Sequence, residues 1–198
     1  MTVKLYNTQL CPYARRTRMV LHEKGVDFDV YEVDLSDKSE EFLSVSPYGK
    51  VPVLAVDGTS LYESNIVNEY LDEVHETPRL MPENPEARAL TRSWMCFADD
   101  YFFPYVFRMR VGAQRGFSEE QVLEAKEKLQ DALSRLEHQL EGREHLMGEY
   151  TLADIAHAGI FHRLRELDER GEVDLQGYPN VTAWMERVES RESYRKSA

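Results

Sequence analysis

An α/β segment followed by an all-helical segment is the fold class this sequence predicts, and three observations predict it. Short strand-like runs alternate with helix signals up to about residue 76. Three prolines then crowd into Thr77–Pro85 (TPRLMPENP), a composition typical of chain between domains. Beyond them, every periodic stretch has helical spacing.

The elements follow in order. Val3–Asn7 (VKLYN) reads as a strand, and Pro12–Lys24 as a helix with proline at its first position and Gly25 to end it. Phe28–Val33 alternates apolar and acidic residues, the strand period. Ser39–Val45 suits a short helix. Val51–Val56 is a strand joined to Leu61-Tyr62 through the hairpin signal Asp57-Gly58. Ser64 then opens a helix with Ile66, Val67, Tyr70, Leu71 and Val74 on one face. The order is βαβ, a short helix, ββα. In the second part, 86–110 reads as one long helix bent at Pro104. The capping boxes Ser118-x-x-Gln121 and Thr151-x-x-Asp154 start two more, and Pro179 opens a last helix carrying Val181, Trp184, Met185 and Val188. The domain division expected is 1–76, a linker at 77–85, and 86–198.

The bulk numbers exclude several function classes. With 42% hydrophobic and 30% charged residues among 198, the composition is that of a globular chain. A formal charge of −12, from 24 basic and 36 acidic residues, argues against nucleic acid as a partner. A local basic cluster at Arg15, Arg16 and Arg18 leaves room for a small-anion pocket. No apolar run reaches membrane-spanning length and no signal peptide is apparent, so the expected compartment is the cytoplasm. The two cysteines, Cys11 and Cys96, are far apart, and no Cys or His spacing resembles a metal site.

Each thiol therefore needs its own explanation. Cys11, in Cys11-Pro12-Tyr13-Ala14, falls between a strand end and a helix start. The first turn of a helix carries unpaired N–H groups and a partial positive charge, which favour the thiolate, the nucleophilic form of cysteine. Cys-x-x-Ala lacks a resolving partner, so a working thiol here must borrow its second sulfur from a small molecule. Cys96, among Trp94, Met95 and Phe97, reads as core. Two readings of Val51-Pro52 are open: a trans edge-strand proline, or a cis bond that presents the Val51 backbone to an extended peptide. Two are also open for Glu63-Ser64. Ser64 is a good N-cap, and a helix N-terminus beside an acid also suits the α-amino-carboxylate end of a peptide.

Taken together, these elements resemble the glutathione transferase family over nearly the whole chain, and its omega-like class in particular. The quoted residues are Cys11-Pro12-Tyr13-Ala14, Lys38, Val51-Pro52-Val53-Leu54 and Tyr62-Glu63-Ser64. The resemblance implies a thioredoxin-like first domain, a helical second domain, a homodimer, and glutathione as co-substrate. It implies that Cys11 forms a mixed disulfide with glutathione and that Val51, before a cis Pro52, pairs with the cysteinyl backbone. Glu63 and Ser64 would hold the γ-glutamyl end, and Lys38 would lie near the glycine end. A second substrate is expected between the domains, facing Tyr13 and the aromatic-rich long helix with Tyr105 and Arg108. Many transferases activate glutathione with a tyrosine near the end of the first strand, which makes Tyr6 the rival to Cys11. Glutathione conjugation to electrophiles is the neighbouring activity.

A second resemblance is to the stringent starvation proteins, carried by Glu69-Tyr70-Leu71-Asp72-Glu73, Arg79-Leu80-Met81-Pro82 and the Trp184–Tyr194 stretch. It implies RNA polymerase binding without catalysis, in a group that lacks a cysteine at position 11.

Overall fold

The computed structural model describes residues 2–198, which divide into two compact units: 2–81 together with 191–198, and 82–190. In the first unit, β1 (Val3–Asn7), β2 (Asp29–Glu32), β3 (Val53–Val56) and β4 (Thr59–Tyr62) form a mixed sheet in the order β2-β1-β3-β4. β1 runs parallel to β2 and antiparallel to β3, so that Tyr6 stands between Tyr31 and Val53. Helices α1 (Pro12–Glu23), α2 (Glu40–Val45) and α3 (Ser64–Val74) complete the thioredoxin-like arrangement. One sheet face gathers Tyr6, Val33, Phe42, Val51 and Val53 into a cluster against which Cys11 packs.

A buried ion pair secures the far end of α1. The Lys24 ammonium, with no side-chain exposure, meets Asp72 Oδ1 of α3 at 2.6 Å and also donates to the carbonyls of His75 and Pro78. Asp72 in turn accepts the backbone N–H groups of Leu80 and Met81 at 2.7 and 3.1 Å. Residues 77–81, the first part of the linker expected at 77–85, are thereby held in the first unit. They contain a second cis peptide bond, Thr77-Pro78.

The expected boundaries change at the other end as well. Helix α10 (Glu192–Lys196) belongs with the first unit, not with the helical domain. Its attachment is polar: Glu23 accepts Arg191 through both carboxylate oxygens, at 2.7 and 2.8 Å. Arg15 of α1 lies 4.1 Å from the Tyr194 ring centre, and Arg18 donates to the Ser197 carbonyl.

The second unit holds α4 (Pro85–Phe97), α5 (Phe103–Val111), α6 (Glu119–Gln139), α7 (Leu152–Ala158), α8 (Phe161–Glu169) and α9 (Pro179–Glu189). The long helix expected at 86–110 is broken by a π-helical turn at Ala98–Phe102. Pro104 explains the break: it cannot donate a backbone hydrogen bond and its ring crowds the carbonyl four residues earlier, so the preceding turn widens. Both capping boxes form, at the starts of α6 and α7. Asp154 of the second is fully buried and accepts from the Leu146 and Thr151 amides and the Trp184 indole at 2.8–3.0 Å. Burial pushes its carboxyl above the usual carboxylate range.

Candidate functional site

Cys11 occupies the N-cap of α1. β1 ends at Asn7, a turn closed by Cys11 N–H to the Thr8 carbonyl at 2.9 Å reverses the chain, and Pro12 starts the helix. The Cys11 backbone is extended (φ −79°, ψ 119°), and its carbonyl takes the first helical hydrogen bond, from Arg15 N–H at 2.9 Å. Its sulfur makes no capping bond. It faces the Val51 carbonyl at 3.9 Å, a long and weak contact, and is half-buried. No acidic residue stands in the first turn of α1 to compete for the helix's positive end.

The Val51-Pro52 bond is cis, and Val51 is buried against the same apolar cluster as Cys11. Cys11 and Val51 are thus the pair of expected site residues brought into direct contact. The cap of α3 differs from expectation. Glu63 is the N-cap, at φ 64° and ψ 105°, and Ser64 is the first helical residue. Such left-handed geometry costs a non-glycine residue on the order of 1 kcal/mol and recurs at functional sites. Ser64 does not cap because its hydroxyl already accepts Arg16 Nε at 2.9 Å. The Arg16 guanidinium also lies 4.9 Å from the Tyr13 ring centre, so one buried arginine ties Tyr13 to Ser64. Lys38 is exposed, its ammonium over Gly49 and 3.2 Å from where a β-carbon there would stand. Gly49 has φ 57° and lies in the loop leading to Val51.

Tyr6, the rival activator, is engaged elsewhere. Its hydroxyl donates to Glu41 at 3.0 Å, and burial, then the Glu41 carboxylate, hold the phenol above its ordinary pKa. Nor do the arginines form a surface anion patch: Arg15, Arg16 and Arg18 are all buried. Cys96, expected in the core, is exposed. The buried stripe of this region runs through Thr91, Met95, Ala98 and Phe102, and Cys96 lies off it.

In the helical unit, Tyr105 lines a cavity of about 150 Å³ with Phe97, Tyr101, Lys128 and Arg135. Arg108 folds onto α6, its guanidinium 5.4 Å from the Phe117 ring centre and 4.0 Å from Glu124. Sequence reasoning missed the structural service of Arg16 and Arg18. The sole signal was their place on a helix too central to be solvated. Among the described residues no helix is long and apolar enough to cross a membrane, and no cluster of metal-ligating side chains occurs.

Comparison with known proteins converges on one family. The family model for the glutathione S-transferase N-terminal domain matches residues 10–74, and that for the C-terminal domain matches 94–192. Glutathione S-transferase U28 of Arabidopsis thaliana is 33% identical over 186 residues, covering 92% of this chain and 82% of that one. Glutathione transferase Omega 3C from Trametes versicolor superposes with a TM-score of 0.89 at 27% identity, covering 100% of this chain and 89% of its own. Rice GST1, solved in complex with glutathione, gives 0.88 at 25% identity, with 99% and 90% covered. The chain belongs to the glutathione S-transferase family, whose co-substrate is glutathione.

Proposed function

We propose that this chain is a cysteine-type, omega-like glutathione transferase that exchanges thiols through Cys11. The observation that carries this is the half-buried sulfur at the N-cap of α1, facing the Val51 carbonyl, while the Tyr6 hydroxyl is bound to Glu41. The Cys11 thiolate attacks the glutathione sulfur of a mixed disulfide. A Cys11–glutathione disulfide forms, the old S–S bond breaks, and the substrate leaves as thiolate to take up a proton. A second glutathione thiolate attacks the glutathione sulfur, releasing oxidised glutathione and restoring the Cys11 thiolate. In this scheme the Val51 backbone pairs with the cysteinyl residue, and Pro52 fixes its direction. Glu63 and Ser64 take the γ-glutamyl end, Lys38 the glycine end, and Tyr13, Tyr105 and Arg108 contact the second substrate. The protein works as a cytoplasmic homodimer.

Glutathione conjugation is the second reading, favoured by the likeness to the Tau class glutathione S-transferase from mango (TM-score 0.87, 25% identity). Polymerase binding leaves the thiol at the mouth of α1 without a task. The test is intact mass after exposure to oxidised glutathione, in a Cys96→Ser background because Cys96 is exposed. One adduct is expected, absent in Cys11→Ala. An adduct-free protein that still conjugates electrophiles establishes the second reading instead.

A further inference from the structure

Arg18 stands two turns after Cys11 on α1, and so on the same helix face. Helical side chains lean toward the N-terminus, and arginine is long enough to reach back beneath the turn that carries the sulfur. It does so here. Nη1 donates to Asn7 Oδ1, Nη2 to the Gln9 carbonyl at 3.1 Å, and Nε and Nη2 to the Ser197 carbonyl at 3.1 and 2.8 Å. One guanidinium thus grips both ends of the stretch 7–9 and, through it, the Thr8–Cys11 turn. Each of these acceptors is a neutral oxygen, although Arg18 is only 5% exposed. A buried cation held by neutral acceptors keeps its field, because no carboxylate touches it.

We propose that Arg18 is a positioning residue for Cys11: it pins the turn that presents the sulfur and sets a buried positive charge behind it that favours the thiolate. The inference rests on Cys11 being the nucleophile. The surrounding charges are consistent with it. Glu32 of β2 is the nearby carboxylate, and its oxygens are taken at 2.6 Å by the Asn7 amide and the Gln9 N–H. Arg15 adds a second guanidinium, and Tyr6 faces Glu41 with its proton on. His22, one turn beyond Arg18, is held below its ordinary pKa by burial, then by Lys196 and Arg18, against a smaller opposing pull from Glu192. Burial, then Arg15, hold the Arg18 guanidinium below its ordinary range, against smaller opposing pulls from Glu32 and Cys11.

The test is the rate of Cys11 alkylation by iodoacetamide from pH 6 to 10, in the Cys96→Ser background and without glutathione. Arg18→Met is expected to react about fivefold more slowly at pH 7 and to match the parent at pH 10, as removal of one nearby charge requires. Glu32→Gln keeps an acceptor for the turn and removes the opposing charge, so it reacts about twofold faster at pH 7. An Arg18→Met rate equal to the parent at pH 7, or a deficit that persists unchanged at pH 10, overturns the inference. Should Arg18→Met fail to fold, Glu32→Gln decides: a rate equal to or below the parent overturns it equally. A chain that alkylates as expected yet forms no glutathione adduct keeps Arg18's role and loses the proposed function.

Discussion

Replacing Asp72 with alanine removes one half of the ion pair at the end of α1, leaving one ammonium without its counter-ion and two backbone amides without an acceptor. Lys24 Nζ retains the His75 and Pro78 carbonyls but loses its counter-ion at 2.6 Å, with no side-chain exposure to admit water. The Leu80 and Met81 amides, bonded to the two Asp72 oxygens, are orphaned as well. Breaking a buried pair by removing one partner costs about 3–5 kcal/mol. For a chain of this length, that corresponds to a drop of roughly 10 °C in Tm. The assay is urea denaturation followed by far-UV circular dichroism, because both tryptophans, Trp94 and Trp184, lie in the other unit. The double variant Lys24→Met/Asp72→Leu removes the stranded charge and is expected to recover about 2 kcal/mol relative to Asp72→Ala, the two amides accounting for the remainder. A loss below about 1 kcal/mol in Asp72→Ala, or no recovery in the double variant, refutes the reasoning.

Three further outcomes are expected. Tyr6→Phe removes the hydroxyl bound to Glu41 and lowers stability by about 1 kcal/mol without slowing Cys11 alkylation; a slowed reaction gives tyrosine a place in the chemistry. Asp154→Ala strands the Leu146 and Thr151 amides and the Trp184 indole, and costs at least about 3 kcal/mol by urea denaturation read through Trp184 fluorescence; a loss under about 1 kcal/mol removes its structural role. His22 has a lowered folded-state pKa, so its contribution is present above its unfolded value of about 6.5 and is lost as pH falls through the folded value. His22→Gln therefore flattens the stability profile on the acid side of pH 6.5, and a profile parallel to the parent's contradicts the assignment.

The elements of the first unit were legible because strand alternation, Pro12 and Asp57-Gly58 are local signals, and each lies where the structure uses it. Cys11 was legible for the same reason: its place depends only on where β1 stops and α1 starts. The cap of α3 was not. Serine outranks glutamate as an N-cap in isolation, and only the arrival of Arg16 from another helix takes the Ser64 hydroxyl out of that role. Arg15, Arg16 and Arg18 resemble a surface cluster by charge alone; their burial depends on acceptors at Ser64, Asn7 and Ser197 that no local window contains. Cys96 was misplaced through its apolar neighbours, whereas the face it occupies is fixed by the phase of the stripe through Met95 and Ala98. That phase shifts at the π turn, which Pro104 marks but does not by itself locate.

The return of residues 191–198 to the first unit gives the half of the molecule that carries Cys11 a discontinuous sequence. Arg18 and Ser197 are separated by 179 positions along the chain. During synthesis the sheet and α1 leave the ribosome long before the segment that grips them, so Cys11 is set in its final mount only after residues 191–198 have emerged. Loop closure on that scale is slow compared with pairing of adjacent strands. A nascent chain consequently carries the Cys11 sulfur in a less firmly held turn until those residues arrive, and a fragment stopping at Met81 would remain in that state.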